Sequence, residues 1–306
     1  MLAYVNNPDH PDTVTLQEVE EPQPAPHEAV VAVDAFALNR GELTLIARRH
    51  SGWRPGQDIA GTVVQAAGDG SGPMAGARVA SLVEGAGWSE RVAVPTLRLA
   101  ELPTDFEAGA AAALPLAGIT ALRLVRLGGS ILGRTVLITG ASGGLGQLAV
   151  QIARLSGAEV IAVASLAHQE RLLALGASAV FDSIEAADGR FDLVLESIGG
   201  RSLETAVKRV APGGLILSFG NSSGEPSGFN LLNFFGAENA SIRTFFSYAS
   251  GTEEAIGRDL QTLVCLAESG RLDSSVTLLR PWTELPQVLD AMRRRSFHGK
   301  AILQVR

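Results

Sequence analysis

The sequence predicts an α/β chain in two parts, a β-rich lobe followed by a doubly wound parallel sheet, and three observations carry that expectation. Short strand-like segments broken by turn residues fill the chain to about Pro115. From Ala117 onward, apolar runs alternate with helical periodicity, which is the order of a βαβ fold. A glycine-rich turn stands where the first of those runs gives way to the first helix.

In the first part the strand candidates are Val30 to Ala37, Ile59 to Ala66, Arg78 to Val83 and Trp88 to Val94. Pro22, Pro24 and Pro26 alternate in a segment that no central strand accommodates, and Gly68 to Gly76 is a polar, glycine-rich loop. A helical stretch from Ala117 to Arg126 then leads into the second part. Its strand candidates are Val136 to Ile138, Val160 to Ala164, Ala179 to Phe181, Leu193 to Leu195, Leu215 to Phe219 and Ile242 to Phe246. Such near-continuous apolar runs suit strands covered on both faces. After Ser250 come a helix around Leu260 to Ser269, a segment to Pro281, a helix near Val288 to Arg294 and a terminal strand, Ala301 to Val305.

The chain's 306 residues suffice for two domains with their own cores, and 46% hydrophobic against 19% charged residues is a globular balance. A formal net charge of -7 gives no electrostatic reason to expect nucleic acid or an anionic membrane as partner. Met1 to Val5 lacks the basic region and apolar run of a secretory signal, and no stretch approaches membrane-spanning length, so a cytoplasmic protein is expected. The one cysteine, Cys265, lies among Leu263, Val264 and Leu266 and reads as a reduced thiol in the core.

The turn is Gly140-Ala141-Ser142-Gly143-Gly144-Leu145-Gly146, and the helix it opens carries Leu148, Ile152 and Leu155 on one face. Glycines let the backbone turn tightly and approach a pyrophosphate, whose charge meets free N–H groups and the positive end of the helix. Ser142, Gly143, Gly144, Leu145 and Gly146 are therefore candidate contacts to a dinucleotide. At the end of the second strand an acid would bind the ribose 2'-hydroxyl of NAD. Here Ala164 and Ser165 end the strand without one, and His168 and Arg171 follow on the next helix. A hydroxyl and cationic groups suit a 2'-phosphate, so NADPH (NADP+) is the expected cofactor. Ser197, Gly220 and Asn221 end the fourth and fifth strands, where a dinucleotide crosses the carboxyl edge of the sheet.

The same turn fits short-chain dehydrogenases, but that family needs a Tyr-x-x-x-Lys. The tyrosines are Tyr4 and Tyr248, and neither has a lysine four residues later. Almost the whole chain instead resembles the medium-chain dehydrogenase/reductase superfamily, in its zinc-lacking quinone oxidoreductase branch. The resemblance is carried in order by Leu38 to Leu43, Pro55 to Gly61, Gly87 to Pro95, Gly118 to Ala121, the glycine turn, Leu175 to Ala177, Ser197 to Gly200, and Gly299-Lys300. It implies a GroES-like catalytic domain over 1–117, completed by 251–306, and a Rossmann domain over 118–250, with a cleft between them. It also implies a homodimer formed near Ile242 to Phe246.

Zinc-dependent members have a cysteine at the position of Asn39 and Gly-His-Glu at that of Gly56-Gln57-Asp58. One cysteine cannot supply their structural zinc cluster, and the five histidines show no paired ligand spacing, so no metal is expected. Without a metal, acceptors that take hydride readily are favoured: quinones, or C=C bonds conjugated to a carbonyl. The resemblance makes Asn39 a catalytic candidate, bonding the cofactor or the substrate carbonyl, with capping of the turn before Glu42 as the alternative. It places Thr120 near the nicotinamide ribose or amide, and adds Phe246 and Lys300 to the cofactor contacts. His50 is the candidate proton donor, with solvent or a plain surface role as alternatives. Phe245, Phe246, Trp53 and Trp88 are candidates to line an apolar acceptor pocket. Enoyl-thioester reduction, or a catalytically weak NADPH-binding sensor of the same fold, are the competing readings.

Overall fold

A computed structural model describes residues 1–246 and 253–306; Tyr248 lies outside the described residues. The chain divides into two compact units, Met1–Ile119 with Gly251–Arg306, and Thr120–Ser250.

The first unit opens with the antiparallel pair β1 (Leu2–Asn6) and β2 (Val14–Glu18). Next come β3 (Glu28–Ala37), α1 (Arg40–Arg48), β4 (Asp58–Gln65), β5 (Arg78–Leu82), β6 (Arg91–Pro95) and β7 (Leu99–Glu101). Two helices follow, α2 (Ala108–Ala112) and α3 (Pro115–Leu127). Strand β3 is the hub of this unit. It is buried along nearly its whole length because β4 and β6 pair with it antiparallel, and its valines and Phe36 supply the core. Trp88 stacks on Phe36 at 5.9 Å between ring centroids and is fully buried, so it fills this core and lines no pocket.

The second unit is a six-stranded, all-parallel sheet. Its strands are β8 (Thr135–Thr139), β9 (Glu159–Val163), β10 (Ala179–Phe181), β11 (Phe191–Glu196), β12 (Val210–Ser218) and β13 (Ser241–Thr244). Helices α4 (Gly144–Leu155), α5 (Gln169–Ala174) and α6 (Gly200–Arg209) connect them. The spatial order β10-β9-β8-β11-β12-β13 is that of a doubly wound Rossmann sheet, as expected. Its interior strands are apolar because both faces are covered: Leu137, Ile161, Val194 and Ile216 sit in one core with Phe191 and Val207.

The chain then returns to the first unit with α7 (Glu253–Glu268), β14 (Val276–Pro281), α8 (Leu285–Arg293) and β15 (Lys300–Gln304). Strand β15 pairs antiparallel with β3, completing the order β14-β15-β3-β4-β5-β7. Tyr4 seals the join: its hydroxyl donates to the Trp282 carbonyl at 3.0 Å.

One expectation is corrected. Cys265 is exposed and not in the core, because the buried stripe of α7 runs through Leu260, Leu263 and Val264 and leaves the next position on the outer face. The segment that ends at Pro281 contains the strand β14. No helix among the described residues is long and apolar enough to cross a membrane.

Candidate functional site

In the second unit, β8 delivers the chain to the glycine turn at the sheet's carboxyl edge. The Gly143 N–H closes the turn on the Gly140 carbonyl at 3.0 Å, and Gly143 caps α4. The first intrahelical bond runs from the Gln147 N–H to the Gly143 carbonyl at 2.9 Å. The amides of Gly144, Leu145 and Gly146 precede it, so they point outward from the positive end of the helix. Gly146 is required sterically, since a Cβ there would lie 2.4 Å from the Gly140 carbonyl oxygen. Such outward-facing amides at the start of a helix are suited to an anionic group.

Gln147, 3% exposed, ties that turn to the next strand end. Its amide Nε2 donates to the Ser142 carbonyl at 2.9 Å, and its Oε1 accepts from Arg171 Nε at 3.3 Å. Ser165 is exposed just past β9 and accepts from the Ala167 N–H, starting a short 3-10 turn, Leu166–His168, that leads into α5. Ser165, His168 and Arg171 thus stand together on one turn and its following helix, with Arg171 anchored through Gln147 to the glycine loop.

Strands β8 and β11 are neighbours across the point where the strand order reverses, where ligands bind in such sheets. Their ends are locked together. The Ser197 N–H donates to Thr139 Oγ1 at 2.9 Å, and Ser197 Oγ donates to the Thr139 carbonyl at 3.1 Å. Beneath them Glu196 is fully buried and accepts from the Ile198 and Gly199 N–H groups, each at 3.0 Å, and from Ser202 Oγ at 2.9 Å. This carboxylate shapes the loop that follows β11. Gly220 lies against the Ser197 backbone, and the Asn221 side chain rests on Gly199 and accepts from Ser223 Oγ. Thr120 is buried on α3, while Phe246 is 66% exposed beside the buried Phe245, which is therefore core rather than pocket lining.

In the first unit, Asn39 caps α1 just beyond the end of β3 and joins a cluster of polar groups that is otherwise fully buried. Strand pairing assembles it: Ala37 faces Asp58 across the β3–β4 ladder and Ile302 across the β3–β15 ladder. Lys300, expected to hold the cofactor, turns its ammonium inward to Asn39 Oδ1 at 2.8 Å, Asp58 Oδ2 at 3.0 Å and the Leu38 carbonyl at 3.2 Å. Asn39 Nδ2 donates to the same Asp58 Oδ2 at 2.8 Å, and Asp58 Oδ1 accepts from the Leu116 N–H at the start of α3. Glu42 accepts from the Asn39 N–H at 2.7 Å. Burial pushes its carboxyl up to about 8; Asp58 adds to the rise, and the Asn39 N–H and Lys300 oppose it. His50 is set apart from this cluster: it is exposed beyond α1, with Nδ1 2.8 Å from the Ser51 carbonyl oxygen.

Sequence reasoning passed over Glu42, Asp58, Gln147 and Glu196 as functional groups. The available signal was acidic or amide side chains embedded in strongly apolar or glycine-rich surroundings, where burial without a partner is costly.

A family model described as zinc-binding dehydrogenase matches residues 144–262. The chain is 29% identical over 314 residues to a quinone oxidoreductase of Pseudomonas aeruginosa, covering 96% of each. It is 37% identical over 210 residues to the spectinabilin polyketide synthase system protein NorB of Streptomyces orinoci; that match takes in 65% of this chain but only 10% of NorB. Among solved structures, a quinone oxidoreductase of Pseudomonas syringae pv. tomato superposes with a TM-score of 0.87 at 25% identity, covering 99% of this chain and 100% of the other. The strand order, the glycine turn and these likenesses together support an oxidoreductase similar to the quinone oxidoreductases of the medium-chain dehydrogenase/reductase superfamily.

Proposed function

We propose that this chain is a cytoplasmic, NADPH-dependent reductase that passes hydride to a quinone or an α,β-unsaturated carbonyl compound without a metal. The observation that carries the reading is the cradle of Gly144, Leu145 and Gly146 amides, coupled through Gln147 to Arg171. NADPH supplies the hydride. The amides and Ser142 hold its diphosphate, and Ser165, His168 and Arg171 meet the 2'-phosphate, where an NAD-specific site would present an acid. Thr120, Ser197, Gly220, Asn221 and Phe246 orient the nicotinamide half. Asn39 donates to the carbonyl oxygen on which negative charge develops. His50 is exposed and bonded to its neighbour's carbonyl oxygen, so solvent is the proton source in this reading.

Zinc does not fit the residues at the relatives' ligand positions. Asn39 and Gln57 offer carboxamides, and the Asp58 carboxylate already holds the Lys300 ammonium. A divalent cation there would meet like charge in a buried setting.

A homodimer is part of the proposal. Strand β13 ends the sheet with one side paired to β12, and Leu231, Leu232 and Phe235, in the segment leading to it, are 85%, 77% and 86% exposed. An open strand edge beside apolar side chains favours pairing with a second copy.

The test is NADPH consumption with menadione, methyl vinyl ketone and crotonyl-CoA. Turnover of either of the first two supports the proposal. Turnover confined to the thioester assigns enoyl-thioester reduction, the reading that the likeness to a polyketide synthase protein favours. Tight NADPH binding with no turnover of any acceptor would make the chain a sensor.

A further inference from the structure

The Asn39 carboxamide is held at both ends. Its oxygen accepts from an ammonium and its nitrogen donates to a carboxylate, at 2.8 Å each. Rotating the amide by half a turn would set N–H against the Lys300 ammonium and C=O against Asp58, two like-polarity contacts in a buried site. Only one orientation is therefore compatible with its neighbours. In that orientation the oxygen is turned towards the ammonium, and the second N–H of Nδ2 is left as a donor to offer a ligand.

The source of this constraint is Lys300. Its ammonium is 3% exposed, and its three N–H donors are matched by three acceptors, the Leu38 carbonyl, Asn39 Oδ1 and Asp58 Oδ2. The backbone fixes the side chain's origin. The Lys300 N–H bonds the Ser275 carbonyl at 2.8 Å, and the preceding Gly299, at φ +77°, passes so close that a Cβ would lie 2.6 Å from that oxygen. Asp58 is anchored equally by the Leu116 N–H at 2.8 Å. An ammonium paired only with Asp58 would satisfy charge; the additional contact to Asn39 sets the direction of an amide.

We propose that Lys300 is a positioning residue: with Asp58 it clamps the Asn39 carboxamide in the orientation that presents its Nδ2 donor to the hydride acceptor. The proposal rests on the reductase reading given above. It selects acceptors that place a carbonyl or quinone oxygen at Asn39 and disfavours ones that would place a hydroxyl or N–H donor there.

The experiment has two arms. In the first, the protein is labelled with ¹⁵N-asparagine, and the Asn39 side-chain NH2 pair is identified as the one lost in Asn39→Ala. A clamped amide gives two well-separated proton signals in the wild type. Lys300→Met, and Lys300→Met/Asp58→Asn as the charge-balanced variant should the single change not fold, bring them together and speed their exchange. An Asn39 pair unmoved in the folded variant overturns the clamp, and this arm needs no turnover. In the second arm, kcat and KM are measured with NADPH and menadione in a double-mutant cycle. Lys300→Met lowers kcat by at least about tenfold in the wild-type background and has no further effect in Asn39→Ala. Equal losses in both backgrounds would make Lys300 merely structural. Absence of turnover in the wild type, with the amide signals behaving as stated, would sink the reductase reading and leave the clamp standing.

Discussion

The Lys300 ammonium lies 3.0 Å from the Asp58 carboxylate, with side chains 3% and 0% exposed and a separation of 242 positions in sequence. The pair joins β15, the last strand of the chain, to the start of β4. Breaking it from one side should be costly. Asp58→Ala leaves a buried ammonium without its anion and the Leu116 N–H without an acceptor, with an expected loss of about 3–5 kcal/mol. Urea denaturation monitored by circular dichroism measures it, and a loss within experimental error of zero would contradict the burial.

Glu42 couples stability to pH. Its carboxyl titrates near 8 in the folded protein, against 4.5 for the ordinary group. Between those values the native state keeps a proton that the unfolded chain has released. The contribution is complete below pH 4.5 and is lost as pH rises through 8, with a slope of at most about 1.4 kcal/mol per pH unit. Glu42→Gln keeps the acceptor for the Asn39 N–H and removes the titration. The difference between wild-type and variant unfolding curves should therefore vary across this window, and a difference independent of pH would show that Glu42 is charged when folded.

Ser165→Asp should turn cofactor preference towards NADH. An acid at the end of β9 would accept from a ribose 2'-hydroxyl and repel a 2'-phosphate, shifting the ratio of kcat/KM values by at least about tenfold. An unchanged ratio would remove Ser165 from the 2'-phosphate site.

Gly146→Val should weaken NADPH binding. The added side chain meets the Gly140 carbonyl and the Ala141 backbone, so the helix start must back away from the loop it supports. Fluorescence titration should show at least about a tenfold rise in Kd, with β-sheet circular dichroism retained.

Phe235→Glu, in the exposed segment before β13, should convert a dimer to monomer in size-exclusion chromatography with light scattering. A variant that elutes as the wild-type dimer would place the interface elsewhere.

Much of the second unit was legible in the amino-acid sequence. The four interior parallel strands were legible because strands covered on both faces leave apolar runs, and a glycine turn after the first of them has few other uses. The edge strand β13 proved shorter than the expected Ile242 to Phe246, since Phe245 and Phe246 continue past the ladder that β12 offers. The first unit was less legible. Strand β14 is mostly exposed, and hydrophobic periodicity reports burial, so an exposed strand is silent. Cys265 misled for a related reason: apolar neighbours in sequence lie on different faces of a helix.

By itself the sequence determined the βαβ order, the glycine-rich turn, the missing acid after β9 and the residue types at Asn39, Asp58 and Lys300. Only the tertiary structure decided that those three groups form one network around a buried lysine and aspartate, and that the lysine faces the asparagine rather than a ligand. Composition and spacing act along the chain, whereas this network exists because β4 and β15 pair with the same end of β3 and carry their side chains to it.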